Sequence, residues 1–175
     1  RGPRLTISNP GTGAVNHLAM ALRSRRTGIE PTLVPYSGNQ PSITALIRGE
    51  VDLAHDGLFT PRAQLQEGTL RALAVTSPAR IAVLPDVPTV AESGLPDYRV
   101  ITWNGMAAPR GTPRPIVDRL NAEVNRIMAM AEIRDRLLPL GVEPAAGTPE
   151  ALHALLVAET ELWGRVISAA RIERQ

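Results

Sequence analysis

The chain has 175 residues, enough for one domain or for one lobe with an extra helical piece. Apolar residues make up 43% of it but aromatics only 3%, so the core must be built from Ala, Val, Leu and Ile. The absence of cysteine excludes thiolate catalysis, cysteine metal sites and disulfides, and a net charge of +2 with arginines scattered among acids argues against a nucleic-acid surface. The one basic cluster, Arg23-Ser24-Arg25-Arg26, has no interleaved aromatics on which bases would stack. No run reaches membrane-span length and no signal peptide is visible, while Arg1-Gly2-Pro3-Arg4 opens almost inside a strand, as a fragment would.

Short apolar runs alternate with helical patterns over the first hundred residues, the arrangement of parallel β/α units. Leu5-Thr6-Ile7-Ser8 reads as a strand, and Asn9-Pro10-Gly11-Thr12-Gly13-Ala14 as the loop that leads into a helix over 15–25. Thr27-Gly28 stops that helix, and residues 32–36 form a second strand ending at Tyr36. Ser37-Gly38-Asn39-Gln40 is a turn, Pro41 opens a helix, and Gly49 ends it. Residues 51–55 read as a third strand, 61–66 as a short helix and 70–75 as a fourth strand. Two prolines in 84–90 forbid a long helix or a central strand, and 98–108 is an extended segment. Three helices follow, over 113–128, 132–138 and from Thr148-Pro149 onward. Their apolar stripes have little strand to rest on, which suggests a missing surface. We place an α/β lobe in residues 1–100 and a crossover segment with C-terminal helices in 101–175.

The usual parts of an enzyme are missing. There are three histidines, His17, His55 and His153; His153, on the last helix, has no Asp or Glu companion at metal spacing and is expected to face solvent, and no nucleophile elbow, zinc-binding helix pattern or Walker lysine occurs. His55-Asp56 are adjacent on a strand end and point to opposite faces. The chain is expected to be no enzyme and to need no cofactor or metal. Binding is better supported. In open α/β sheets ligands sit beyond the carboxyl ends of the strands, where Asn9–Ala14, Tyr36–Gln40 and residues 56–59 lie. Gly11 and Gly13 let the backbone approach a ligand, and the free N–H groups of such a loop, with the helix dipole behind them, would seat a carboxylate or phosphate. An ordinary strand-to-helix turn is the plainer reading of the same residues. Thr12 can donate a hydroxyl and Tyr36 can form an apolar wall with a polar tip. Asp56, beside Gly57, can accept from an ammonium or water. A half-buried aromatic and a turn carboxylate are the plainer readings of the last two.

The order of motifs resembles the substrate-binding proteins of tripartite tricarboxylate transporters, the Bug family. The matching stretches are Asn9-Pro10-Gly11-Thr12-Gly13-Ala14-Val15-Asn16-His17-Leu18, Val34-Pro35-Tyr36-Ser37-Gly38, Gly49-Glu50-Val51-Asp52 leading to Asp56, and Gly68-Thr69-Leu70-Arg71-Ala72-Leu73-Ala74-Val75-Thr76. Leu84-Pro85-Asp86-Val87-Pro88-Thr89-Val90-Ala91-Glu92-Ser93-Gly94 continues the series, followed by Trp103, Gly105, Ala108-Pro109, Gly111-Thr112-Pro113 and Arg119-Leu120-Asn121. The resemblance implies a periplasmic-binding-protein-like lobe, a parallel-type sheet flanked by helices, whose C-terminal helices normally pack on a first lobe. It implies a periplasmic receptor for a small carboxylate that works with membrane transporter subunits. The candidate ligand-binding residues are Asn9, Gly11, Thr12, Gly13, Ala14, His17, Tyr36, Asp56 and Gly57. Ala14 stands where the family often has a hydroxyl, and Ser37 and Asn104 replace a usual lysine and aromatic. The alternative is a self-associating structural or regulatory module, a homodimer through the C-terminal helices.

Overall fold

The computed structural model describes residues 5–11 and 13–172, and the chain divides into two compact units, residues 1–102 with 163–175, and Trp103–Leu162. In the first unit a parallel sheet of three described strands has the order β2-β1-β3: β1 is Thr6–Asn9, β2 Thr32–Pro35 and β3 Leu53–Ala54. Ile7 of β1 faces Leu33 on one side and Leu53 on the other. A central parallel strand is covered on both faces, and Ile7 and Ser8 are each only 1% exposed. The buried Ser8 hydroxyl is satisfied by Ser42, whose Oγ donates to it at 2.6 Å. At the other end of β1, Thr6 fixes the register with β3: its N–H and hydroxyl both donate to Asp52 Oδ2, at 2.9 and 2.8 Å.

Helix α1 (Val15–Thr27) follows β1 and buries Leu18, Ala19 and Met20. It ends at Gly28, whose φ of 69° is left-handed and whose N–H donates to Ser24 O at 2.8 Å. Helix α2 (Asn39–Ile47) begins two residues before Pro41, which therefore sits in the first turn, where a missing N–H costs nothing. Helix α3 (Arg62–Gln66) closes the β/α series.

The expected fourth strand over 70–75 does not form a ladder. It makes one parallel bridge, Val75 with Thr89, held by Val75 N–H to Pro88 O and Val90 N–H to Val75 O, both 2.9 Å. Its partner segment carries Pro85 and Pro88, which have no N–H to extend the pairing. Thr89 and Glu92 instead close on each other as a capping box, with Thr89 N–H to Glu92 Oε2 at 2.7 Å and Glu92 N–H to Thr89 Oγ1 at 3.0 Å. The Thr89 N–H, and then Arg80, hold the Glu92 carboxyl below its usual range.

The extended segment after residue 97 completes this unit's core. Tyr98 and Val100 cluster with Ala19, and Val15, Leu22, Val90, Leu95 and Trp163 pack around them. The Tyr98 hydroxyl donates to Ala19 O at 2.9 Å, and burial raises its pKa to about 12.

The second unit contains α4 (Arg114–Met128), α5 (Ala131–Leu137) with one tighter helical turn at Leu138–Leu140, and the first part of α6 (Pro149–Ala170). Thr148 starts α6 by accepting the Ala151 N–H on its hydroxyl at 3.1 Å. Asn121 and Asn125 of α4 both donate to Gly147 O at 2.9 Å, which fixes the turn before α6. Helix α4 buries no residue: Ile116, Leu120 and Ile127 are 51%, 44% and 37% exposed. The end of α6 differs, because Val166 is buried and Trp163 joins the first unit's core.

Candidate functional site

The three loops expected to bind a ligand follow β1, β2 and β3, so all leave the carboxyl edge of one parallel sheet. Hydrogen bonds tie them together. Asn9 O accepts the Tyr36 N–H at 2.8 Å, which joins the end of β1 to the end of β2. Asn39 Nδ2 donates to Asp56 Oδ1 at 2.8 Å, which joins the start of α2 to the loop after β3. The Gly57 N–H reaches the same oxygen at 2.7 Å. Burial raises the Asp56 pKa, and the Gly57 N–H and Thr60 hydroxyl oppose that shift. Asp56 Oδ2 is out of solvent with no partner among the described residues, so this carboxylate faces the protein and works as a strap between two loops. Tyr36 is half-buried and Gly57 exposed.

The loop after β1 departs from expectation in one respect. Its described amides, those of Gly11, Gly13 and Ala14, are not free. Gly11 N–H donates to Asn9 Oδ1 at 3.3 Å, Ala14 N–H to Gly11 O at 3.3 Å, and Gly13 N–H to His17 Nδ1 at 3.0 Å. Asn9 is buried, so its side-chain oxygen is available only to the loop that folds over it. Thr12 lies outside the described residues. Donors without an acceptor among the described residues lie one step further on. Among the described residues, the N–H groups of Val15, Asn16 and His17 have no acceptor. These are the first three positions of α1, whose N–H groups an α-helix leaves unpaired by construction, and they stand at the positive end of its dipole. The sequence reading listed His17 but not Val15 or Asn16, which the helix-start rule would have brought in as candidates.

Two histidines frame this helix start. His17 accepts from Gly13 on Nδ1, which is possible only for the imidazole with its proton on Nε2, and burial lowers its pKa. His55, after β3, is pressed against α1. Its pKa falls to about 4, first through burial and then through the Arg23 guanidinium, while a hydrogen bond with the Asn16 backbone opposes the shift. His55 is therefore a neutral wedge between β3 and the start of α1. His153, on α6, is exposed. No group of three His, Asp or Glu side chains among the described residues can hold a metal ion, and none of the described helices is long and apolar enough to cross a membrane.

The architecture has close counterparts. A family described as Tripartite tricarboxylate transporter family receptor matches residues 2–172. A relative from Pseudomonas sp. (strain P51), the UPF0065 protein in the tcbD-tcbE intergenic region, is 42% identical over 97% of this chain and 51% of its own. Among solved structures, R. palustris Rpa4515 with adipate shares 35% identity at a TM-score of 0.85, covering 98% of this chain and 57% of that one. The periplasmic binding protein BugD shares 33% identity at a TM-score of 0.83, covering 100% of this chain and 59% of its own. The chain thus spans about half the length of curated relatives such as the Pseudomonas protein. A parallel α/β lobe of the periplasmic-binding-protein type, matched along nearly its whole length, places this chain in the tripartite tricarboxylate transporter receptor family, a family of solute-binding receptors.

Proposed function

We propose that this chain is the ligand-gripping lobe of a periplasmic receptor for a small carboxylate-bearing metabolite, delivering it to a tripartite tricarboxylate-type transporter. The observation that carries the reading is the first turn of α1, where the N–H groups of Val15, Asn16 and His17 have no acceptor among the described residues, set at the carboxyl edge of the sheet beside Asn9–Ala14. Three donors at a helix start suit an anion and nothing cationic. The adipate bound by a relative of the same lobe fold supports a carboxylate as that anion. Asn9, Gly11, Thr12, Gly13 and Ala14 shape the seat, Tyr36 walls it, and Asp56 with Gly57 holds the neighbouring loops in register. In the whole receptor a first lobe, making up the remaining length of the relatives, would cover the other side of the ligand. One lobe leaves much of a ligand in water, so the chain alone should bind weakly. Ligand-observed NMR with adipate and its neutral diamide tests this: adipate should give the stronger transfer signal, and equal signals would remove the anion seat.

A second reading, a self-associating module, draws on α4, whose apolar stripe has no buried member. Such a face on a chain of this kind would be covered by a second copy. Sedimentation decides it: a concentration-dependent dimer lost in Leu120→Glu supports association, and a monomer at high concentration opposes it.

A further inference from the structure

His17 occupies the third position of α1 and reaches back four residues to the Gly13 N–H at 3.0 Å. In a capping box the third helical residue, usually Glu or Gln, reaches back in the same way to hold the entering chain. Here the N-cap is Ala14, which offers no side-chain bond, so the acceptor on His17 is the side-chain restraint the described residues supply at this helix start. Gly13 has a φ of 77°, a left-handed conformation that turns the chain sharply into Ala14. Releasing the Gly13 N–H would free that turn and, with it, the direction of the first three amides of α1, which have no acceptor among the described residues.

We propose that His17 is the positioning residue of the anion seat, and that it works only as the neutral imidazole. This rests on the receptor reading above and assigns the side chain a role other than ligand contact. Nδ1 accepts only while unprotonated; in the imidazolium both nitrogens are donors, so N–H would face N–H. The same proton would add a positive charge beside the positive end of the α1 dipole. Acid therefore opens the seat. Burial, which favours the neutral form, is the one influence on His17 resolved among the described residues; no charged group on α1, the strands or the loops after them contributes. The titratable group that reaches α1 from β3, His55, is itself neutral above about pH 4, and Arg23, further along α1, acts on His55 and Tyr98.

The sign distinguishes this role from simple electrostatics. An imidazolium touching a carboxylate would tighten binding as pH falls. A positioning imidazole does the reverse, because the bound state excludes the proton. His17→Asn is the informative variant: its Oδ1 stands where Nδ1 stands, accepts from Gly13 and does not titrate. The experiment follows adipate binding by amide NMR in the wild type, His17→Asn and His17→Ala between about pH 7.5 and about pH 5, with the variant cancelling the titration of adipate itself. The expected result is a wild-type affinity that falls on the order of tenfold relative to His17→Asn across that range, equal affinities at the upper end, and weak binding by His17→Ala at every pH. A wild-type affinity that tracks His17→Asn, or that strengthens in acid relative to it, would overturn the positioning role and leave the receptor reading standing. If adipate moved no amide of 11–17 at any pH in any protein, the receptor reading itself would fall.

Discussion

The two units of the chain place their apolar residues in opposite ways. In the first, Ile7, Ile43, Tyr98 and Val100 are at most 4% exposed, and the polar atoms among them are bonded, Ser42 to Ser8 and Tyr98 to Ala19. In the second, α4 carries an apolar stripe and has no buried residue. The contrast teaches that helix patterning is a local property whereas burial is not. The stripe of α4 is written in its own sequence, while its burial depends on what packs against it. The first unit holds a bonded framework around the loop after β1, and the second leaves the apolar residues of α4 unburied.

This contrast predicts very different mutational costs. Tyr98→Ala should destabilise the first unit by about 3–5 kcal/mol, since it empties the core site and removes the hydroxyl's bond to the Ala19 carbonyl, as denaturant unfolding would measure. A comparable loss from Leu120→Ala would erase the distinction between the units. A second test uses acid. His55 has a folded pKa of about 4 against an ordinary 6.5, so the unfolded chain binds the extra proton first. Its contribution is fully present above pH 6.5, declines as pH falls, and is lost by about pH 4, on the order of 3 kcal/mol in all. The thermal midpoint should drop over that window, and His55→Gln should flatten the drop.

Smaller effects sharpen the picture at the ligand loops. Asn39→Ala removes a donor from Asp56 Oδ1 and should cost about 1 kcal/mol while raising the Asp56 pKa further, which a carboxyl-carbon NMR titration would record. Ala14→Ser is informative because it acts in two directions. The N-cap backbone is already extended, with φ −64° and ψ 156°, so a serine hydroxyl can accept from Asn16 or His17 and stabilise α1 by about 1 kcal/mol. The same hydroxyl would occupy a donor proposed for the ligand, so adipate should bind less well to the more stable protein. Leu120→Ala, at the small end, should change the stability of the lone chain by less than about 0.5 kcal/mol.

Much of this was legible in the sequence, and the failures are instructive. The β/α order through Arg62–Gln66, the Gly28 stop and the Thr148 start are set by local chemistry and fell within a residue or two of expectation. The strand at 70–75 alternates correctly but pairs only at Val75, because the partner segment carries two prolines that cannot donate to extend the pairing. Pairing is a property of two segments, so one of them cannot announce it. At the site, glycines drew attention to Gly11 and Gly13, whose amides the loop consumes through Asn9 and His17. Which acceptor a given N–H finds depends on side chains returning from four residues away, and residue type alone does not fix that.

The central claim is that the first turn of α1 supplies the donors for a carboxylate. The most direct measurement is a backbone amide NMR titration of the chain with adipate. The account predicts that the Val15, Asn16 and His17 signals move furthest and move downfield together, with Gly11 and Ala14 following weakly. Shifts centred on α4, or on Gly57 and Tyr36 with the α1 amides unmoved, would contradict it.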